Sequence, residues 1–432
     1  MTKRRTIEFI TIFLLSLVFS LVFNRLTMDE IWNYGFAYSI SKDLIPYRDF
    51  NIVVTPLSTM VSGLFLSVFG KNIINMYILY AIYATCIYFL MKKNNPNSYY
   101  IPFLLLLLLL SPNYNILIVL LLYIIIYLEK KSSNDYLIGI VLGLTFLTKQ
   151  NIGFLLLLPT ILTGNLHKII KRIIGFVIIL TCLYIYLIIN NCFNEFIDYC
   201  FLGLINFKNG NQTINVVLLG IIIIVSIYLI YKFYTTKDIT ALYLMAFFGI
   251  CYPIMDSYHF LIPFVVTLNY MLSTLSLNKK VISIFFTFTI ICLSILNIYN
   301  TLYSKDYTYP NKTKSFRYNK LDNETVNAIV NSAEYYQKLD GISFFINSSG
   351  YIMKLETGES INKYDLLSKG NNGTKDISEE ISSICSNQKC YFWLTSFLYK
   401  NNYNQYNKEL HEYIIKNYQE FEQINGVSIY TN

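Results

Sequence analysis

The sequence predicts an all-α polytopic membrane domain over residues 1–300, with about 11 transmembrane helices, followed by a small α/β extracytoplasmic domain over residues 301–432. Three observations predict it. Apolar residues come as long uncharged runs, such as 103–110 and 220–230, which a bilayer requires and a water-soluble core does not. The chain is 54% hydrophobic and only 14% charged, a membrane composition. Its Lys and Arg residues sit in small clusters between the runs, where they orient spans. A nucleic-acid binder would gather them in one stripe, so the net charge of +8 does not point to nucleic acid.

The first run, 7–23, follows Lys3, Arg4 and Arg5 as a signal peptide would, but Phe23, Asn24 and Arg25 offer no small-residue cleavage site. It reads as a retained span with a cytoplasmic N-terminus. Residues 25–72 then form one large outer loop, broken by Pro46 and Pro56, in which 57–69 lies along the interface with Ser58, Thr59, Ser62 and Gly63 as a weakly polar stripe. Further spans are expected at 73–91, 99–111, 115–128, 136–148, 152–164, 173–189, 214–231, 240–253, 260–277 and 281–298. The clusters Lys92 and Lys93, Lys130 and Lys131, 167–172, 232–237, and Lys279 and Lys280 then all fall inside. If 57–69 crossed the bilayer, every one of them would oppose the N-terminal cluster.

Four of the spans are only about 13 or 14 residues long, against the roughly 20 a bilayer normally requires. Merging them in pairs would move Lys130 and Lys131 outside, so they read as short hairpins. Beyond Asn300 the chain turns charged and polar, with strand-like 342–346 and 391–394 and helix-like 323–338 and 408–421. An odd number of spans places this part outside. None of the eight cysteines has metal-ligand spacing; Cys385 and Cys390 are either a disulfide or two thiols.

With this topology, nearly all polar residues that do not anchor spans lie on the outer side. Asp29 and Glu30 follow the first span in Met28-Asp-Glu-Ile-Trp-Asn-Tyr34. Such a carboxylate pair serves as a general base or metal ligand, or else Asp29 caps a helix beginning near Ile31. Lys149, beside Gln150 in a short turn between apolar spans, is a cation on the side the positive-inside rule disfavours. It either snorkels to water or holds an anionic ligand such as a lipid phosphate. Arg48 is a second cation for that anion or a partner of Asp49. Tyr258 and His259 close Asp256-Ser-Tyr-His259 at the mouth of a span, where the imidazole binds a phosphate or sugar or is structural.

The arrangement resembles the GT-C superfamily of membrane glycosyltransferases, which includes protein O-mannosyltransferases and the lipid A aminoarabinose transferase. The resemblance rests on Asp29-Glu30 after the first span and on the long first loop through Leu44-Ile-Pro-Tyr-Arg-Asp-Phe50 and Val54-Thr-Pro-Leu57. Two further strings, Gly143-Leu-Thr-Phe-Leu-Thr-Lys-Gln-Asn-Ile-Gly153 and Tyr364-Asp-Leu-Leu-Ser-Lys-Gly-Asn-Asn-Gly373, resemble segments of bacterial members. It implies transfer of a sugar from a polyprenyl-phosphate donor to a glycan, lipid or protein acceptor outside the membrane.

A mechanism follows in which Asp29, or its neighbour Glu30, takes the acceptor proton while Lys149, Arg48 and His259 stabilise the departing phosphate. Some relatives bind a divalent cation and others do not, and the pair leaves that open. The competing readings are a transporter or flippase, whose duplicated halves and midplane helix breaks are not found here, a polysaccharide polymerase or ligase, and a noncatalytic scaffold.

Overall fold

The computed structural model describes residues 3–23, 28–96, 99–132, 134–274, 307–308, 321–322, 330–346, 349–367, 370–395 and 405–432. The expected span 281–298 and the first part of the expected helix 323–338 lie outside the described residues.

Among the described residues fourteen α-helices precede the C-terminal sheet region: α1 (Lys3–Phe23), α2 (Met28–Ile40), α3 (Leu57–Phe69), α4 (Ile73–Asn94), α5 (Tyr100–Leu109), α6 (Tyr114–Lys130), α7 (Asp135–Thr148), α8 (Gln150–Thr163), α9 (Leu166–Ile189), α10 (Phe193–Ile197), α11 (Leu204–Asn211), α12 (Val216–Thr236), α13 (Thr240–Phe247) and α14 (Ser257–Thr274). The asparagine-rich sequence starts several of them. The side chains of Asn72, Asn113, Asn134, Asn165 and Asn215 each accept a backbone amide at a helix N-terminus, where no intrahelical acceptor exists.

Among the described residues α4, α9 and α12 are long and apolar enough to cross a membrane, whereas α5, α7 and α8 are apolar but shorter. Ile178, Ile185 and Ile189 of α9 and Ile224, Ile227 and Ile230 of α12 are exposed on the protein surface, as lipid-facing side chains are. Three of the basic clusters, at Lys92, Lys130 and Arg172, meet at one end of the bundle. There Lys92 pairs with Glu8, Lys130 Nζ donates to the Asn94 carbonyl (3.2 Å), and Arg172 pairs with Glu129 and Asp135. The opposite end carries α2, the turn at Lys149 and the C-terminal region.

Two expectations about the membrane part need correction. The helix at 57–69 forms, but its weakly polar stripe does not face water. Ser58, Thr59, Ser62 and Gly63 are buried, and Leu64, Val68 and Phe69 are exposed instead. The small side chains let α3 lie close to α2, so the stripe is a packing face. The second correction is that α9 begins at Leu166 and not near Ile173. Asn165 caps it, and Arg172, only 5% exposed, is held on its second turn by Glu129 (2.6 Å, from Nη1) and Asp135 (2.8 Å, from Nε). Tyr243 donates to the same Glu129 carboxylate (2.8 Å). Glu129→Gln removes one of the two carboxylates on Arg172 and leaves Asp135 as its ion-pair partner, so it is expected to cost about 2 kcal/mol, the worth of a hydrogen bond to a charged group, measured as a lowered unfolding midpoint in detergent.

The α7 and α9 helices cross at backbone contact. A Cβ on Gly139 would lie 2.0 Å from the Arg172 carbonyl oxygen, and one on Gly175 would lie 2.2 Å from that of Tyr136. Neither backbone can yield as a side-chain tip would. Gly139→Ala is therefore expected to destabilise by about 3 kcal/mol, the upper range for overpacking, with a matching loss of thermal stability.

In the C-terminal region the described elements are a short antiparallel pair β1 (Tyr307–Thr308) and β2 (Leu321–Asp322), then α15 (Ala333–Tyr336), β3 (Ile342–Phe345), α16 (Ser349–Thr357), α17 (Ile377–Cys385), β4 (Cys390–Thr395), α18 (Gln405–Asn417), β5 (Gln419–Ile424) and β6 (Val427–Thr431). The main sheet has the order β3-β4-β6-β5, with β3 and β4 parallel and the other pairs antiparallel.

Residues 408–421 are not one helix, as the sequence suggested. The helix stops at Asn417, and 419–424 pairs with β6 across Asn425 and Gly426, both at positive φ (51° and 80°). Asn-Gly is the dipeptide that such a two-residue hairpin favours. Cys385 and Cys390 form a disulfide joining the end of α17 to the start of β4. One face of the sheet packs on Ile377, Ile381, Leu410 and Ile414. The other, through Phe345, Trp393 and Ile429, continues into the same apolar core as α2 and the membrane helices.

Candidate active site

Helix α2 starts right after the first apolar run and places Asp29 in its first turn, where the helix dipole favours a carboxylate. Its other face carries Ile31, Tyr34 and Tyr38 into the core, and the Tyr38 hydroxyl donates to the Gly358 carbonyl (3.0 Å). Asp29 itself lines a cavity of about 110 Å³ with Trp32, Asn33, Phe36, Asn51, Tyr114 and His259. The C-terminal region closes that cavity with Tyr351, Asn362, Lys363, Leu366 and Asn371.

A second, larger cavity of about 240 Å³ adjoins the first across a shared wall of Val53, Val54, Tyr114, Ile254 and His259. Its remaining lining includes Lys149, Gln150, Asn151, Lys208, Ile205 and Tyr252. The wall is mostly apolar, and two of the residues lining this cavity, Ile205 and Tyr252, are exposed at the protein surface. Asp29 lines only the first cavity and Lys149 only the second.

Lys149 sits where α7 ends and α8 begins, so its backbone belongs to neither helix and its side chain is held in the gap between them. It is 9% exposed, with its Nζ 5.2 Å from the Tyr114 ring centroid. Burial pulls its pKa down to about 8, against the opposing pull of Asp29 and Asp256. Burial likewise raises the Asp29 carboxyl above the usual range, while His259 and Lys149 oppose that rise. The three groups are thus within electrostatic reach of one another. Asp256 Oδ1 accepts from both the backbone amide (2.7 Å) and Nδ1 (2.8 Å) of His259, which fixes the ring and leaves Nε2 for a ligand.

The other candidates are placed differently. Tyr258 anchors the loop at the head of α6, its hydroxyl accepting from Asn113 (3.0 Å) and Asn115 (3.3 Å). Gln150 lines the second cavity, but its Nε2 is engaged by the carbonyls of Val53 and Cys200 (both 3.0 Å), which ties the loop strand to the segment after α10. Arg48 pairs with Asp49 (2.9 Å), its side chain is 47% exposed, and it lines neither cavity. Glu30, only 4% exposed, lines neither cavity. Among the described residues no three His, Cys, Asp or Glu side chains come together as a metal-ligand group.

Sequence reasoning missed the roof. The string at 364–373 stood out without a role, and its described residues, 364–367 and 370–373, are bolted over the cavity. Asp198 accepts from the Thr374 amide and hydroxyl (3.1 and 2.7 Å), Asn51 donates to Asn372 (3.1 Å), and Asn206 donates to the Gly373 carbonyl (3.3 Å). Buried Asp365 shapes the turn from beneath by accepting the Asn362 amide (2.6 Å).

No family model matches the sequence, and no curated protein matches it. Solved structures do. ArnT from Cupriavidus metallidurans bound to undecaprenyl phosphate superposes with a TM-score of 0.59 at 10% identity, covering 100% of this chain and 98% of that one. The apo state of the same protein gives 0.58 and 10%, covering 99% and 97%. The resemblance to the GT-C enzymes is therefore a likeness of fold along the whole chain, sheet region included.

Proposed function

We propose that this chain is a GT-C-type membrane glycosyltransferase that moves a sugar from a polyprenyl-phosphate donor to a cell-envelope acceptor. The observation that carries the reading is the pair of adjoining cavities, one with the half-buried carboxylate of Asp29 and one with the buried Lys149, joined by His259 and Tyr114. The ArnT fold, in a protein crystallised with undecaprenyl phosphate, supports the lipid partner. On this reading residues 1–300 form a membrane domain of about 11 spans with a cytoplasmic N-terminus, and 301–432 stand on the outer face of a plasma membrane.

The chemistry divides between the two cavities. The donor phosphate occupies the Lys149 cavity, and the prenyl chain leaves past the exposed apolar side chains of Ile205 and Tyr252. The anomeric carbon lies at the shared wall. Asp29 takes the proton from an acceptor hydroxyl as that oxygen bonds to the anomeric carbon. The carbon–oxygen bond to phosphate breaks, and polyprenyl phosphate departs with the electron pair, inverting the centre. Lys149, with His259 beside it, stabilises the leaving dianion in a site sheltered from water. Asp29 is the base in preference to Glu30 because only Asp29 lines a cavity. Arg48 stays with Asp49.

The test is transfer of radiolabelled sugar from polyprenyl-phosphate donors to cell-envelope acceptors, in membranes with and without the protein. Labelling that depends on the protein is expected. Equal labelling in both membranes across several donor sugars would overturn the reading in favour of a transporter or scaffold.

A further inference from the structure

We infer that the roof carrying Asn362, Lys363, Leu366 and Asn371 is the acceptor subsite, and that it selects a hydroxylated acceptor bearing an anionic group, a phosphate or a carboxylate. This rests on the proposed transfer reaction for the direction of attack and on the cavity itself for the chemistry of the ligand.

The direction follows from inversion. An incoming nucleophile and a leaving group occupy opposite faces of the anomeric carbon. If the phosphate is held by Lys149 in one cavity, the acceptor enters from the cavity that holds Asp29, and the surface facing Asp29 there includes Asn362, Lys363, Leu366 and Asn371. A segment more than three hundred residues from Asp29 in sequence thus supplies much of the acceptor's environment.

The chemistry follows from what the lining leaves unpaired. Lys363 lines the cavity, is only half-buried, and makes no ion pair or hydrogen bond through its ammonium among the described residues. Its nearest acidic influence, Asp49, is already held by Arg48. Asn371 is 8% exposed and lines the cavity, yet its amide bonds to nothing among the described residues. Two further lining residues have a buried polar atom without a partner, the donor Trp32 Nε1 and the acceptor Asn51 Oδ1. Buried polar groups are ordinarily satisfied, so a set combining donors with an acceptor around one small cavity points to a ligand with several hydroxyls. The added free cation selects for negative charge. Phe36 and Tyr351 supply apolar faces for the ring or chain that carries the hydroxyls.

The roof is also held rigidly enough to discriminate. Thr374 on Asp198, Asn372 on Asn51 and Asn362 on Asp365 fix the segment on both sides of the lining residues. These bonds fix the backbone from which Lys363 reaches the cavity, so the charge stays tethered at the acceptor's side of the site.

Trp32, one of two tryptophans, allows binding to be read without turnover. The full-length protein in detergent or nanodiscs is titrated with glycerol 3-phosphate against glycerol, and with glucuronate against glucose, following tryptophan fluorescence with Trp32→Phe as the control. Each acidic probe is expected to bind at least about tenfold more tightly than its neutral partner, the usual gain from one charged hydrogen bond. Lys363→Ala is expected to remove that difference while leaving the neutral probe unchanged, Lys363→Arg to keep it, and Lys363→Glu to reverse it. A preference for phosphate over carboxylate, or the reverse, then names the acid.

Equal affinity for acidic and neutral probes, no binding of any probe, or a preference that survives in Lys363→Ala would each overturn the inference. These outcomes separate from the fate of the transfer reading. Acid-selective binding with no sugar transfer from any donor would sink the glycosyltransferase and leave the subsite standing, whereas transfer to neutral acceptors as fast as to acidic ones would do the opposite.

Discussion

Asp29→Asn is expected to lower sugar transfer about a thousandfold while leaving donor binding nearly unchanged, because asparagine keeps the shape of the side chain and loses only the ability to take a proton. General-base catalysis of this kind is worth about 10²–10⁴ in rate. The loss should appear in kcat and not in the KM for donor, since Asp29 lines the cavity opposite the one assigned to the phosphate. The pH profile adds an independent check. Burial raises the Asp29 carboxyl above its ordinary value, and the base works only when deprotonated, so activity should fall on acidification at a pH higher than a solvent-exposed aspartate would give. Asp29→Glu should keep that acid limb at lower amplitude. If Asp29→Asn retained wild-type transfer while Glu30→Gln abolished it, the assignment of the base would pass to Glu30.

How much of this site could be read from the sequence depends on whether a residue's oddness was local. Lys149 stood out because a cation in a two-helix turn that the charge pattern assigns to the outer side is an anomaly within ten residues of sequence. Asp29 was legible through its position after the first span, and His259 through its position at a span mouth. Their convergence needed only the topology, since all three then sit at one end of the bundle. Arg48 and Gln150 were singled out as well, and the structure separates them: Arg48 pairs with Asp49 away from both cavities, whereas Gln150 lines the second cavity with its Nε2 on the carbonyls of Val53 and Cys200 and its buried Oε1 unpaired.

Composition cannot distinguish a committed amide from a free one. The roof was illegible for a different reason. Nothing in Asn362, Lys363 or Asn371 marks them as neighbours of Asp29, and their placement depends on the Asp198–Thr374 and Asn51–Asn372 contacts between distant parts of the chain. The fold errors have the same character. The stripe on 57–69 was seen, but whether small polar residues face water or another helix is decided by α2, which the stripe itself does not specify. The β5–β6 hairpin was within reach, because Asn425-Gly426 is a strong local turn signal that the apparent helical pattern of 408–421 overrode.

Lys149→Met should reduce kcat/KM for the polyprenyl-phosphate donor by about 10²–10³ at neutral pH, the usual cost of removing one charge-stabilising group from a sheltered site. The more discriminating result is in the alkaline limb. Burial lowers the ammonium to about 8, so in the free enzyme the cation is present below that pH and is lost as pH rises through it. Because kcat/KM reports the free enzyme, it should decline about tenfold per pH unit above roughly 8.

A bound phosphate favours the charged form and raises the lysine's pKa, so kcat should hold to higher pH than kcat/KM does. Lys149→Arg tests the cause directly. A guanidinium stays protonated throughout this range, so the alkaline limb should vanish even if geometry costs some activity. An alkaline limb that persisted unchanged in Lys149→Arg would assign it to another group, and a Lys149→Met enzyme with normal donor KM would place the phosphate outside the second cavity. The same experiment separates Lys149 from Lys208. Lys208 lines that cavity, so its loss is expected to change donor affinity without moving the alkaline limb.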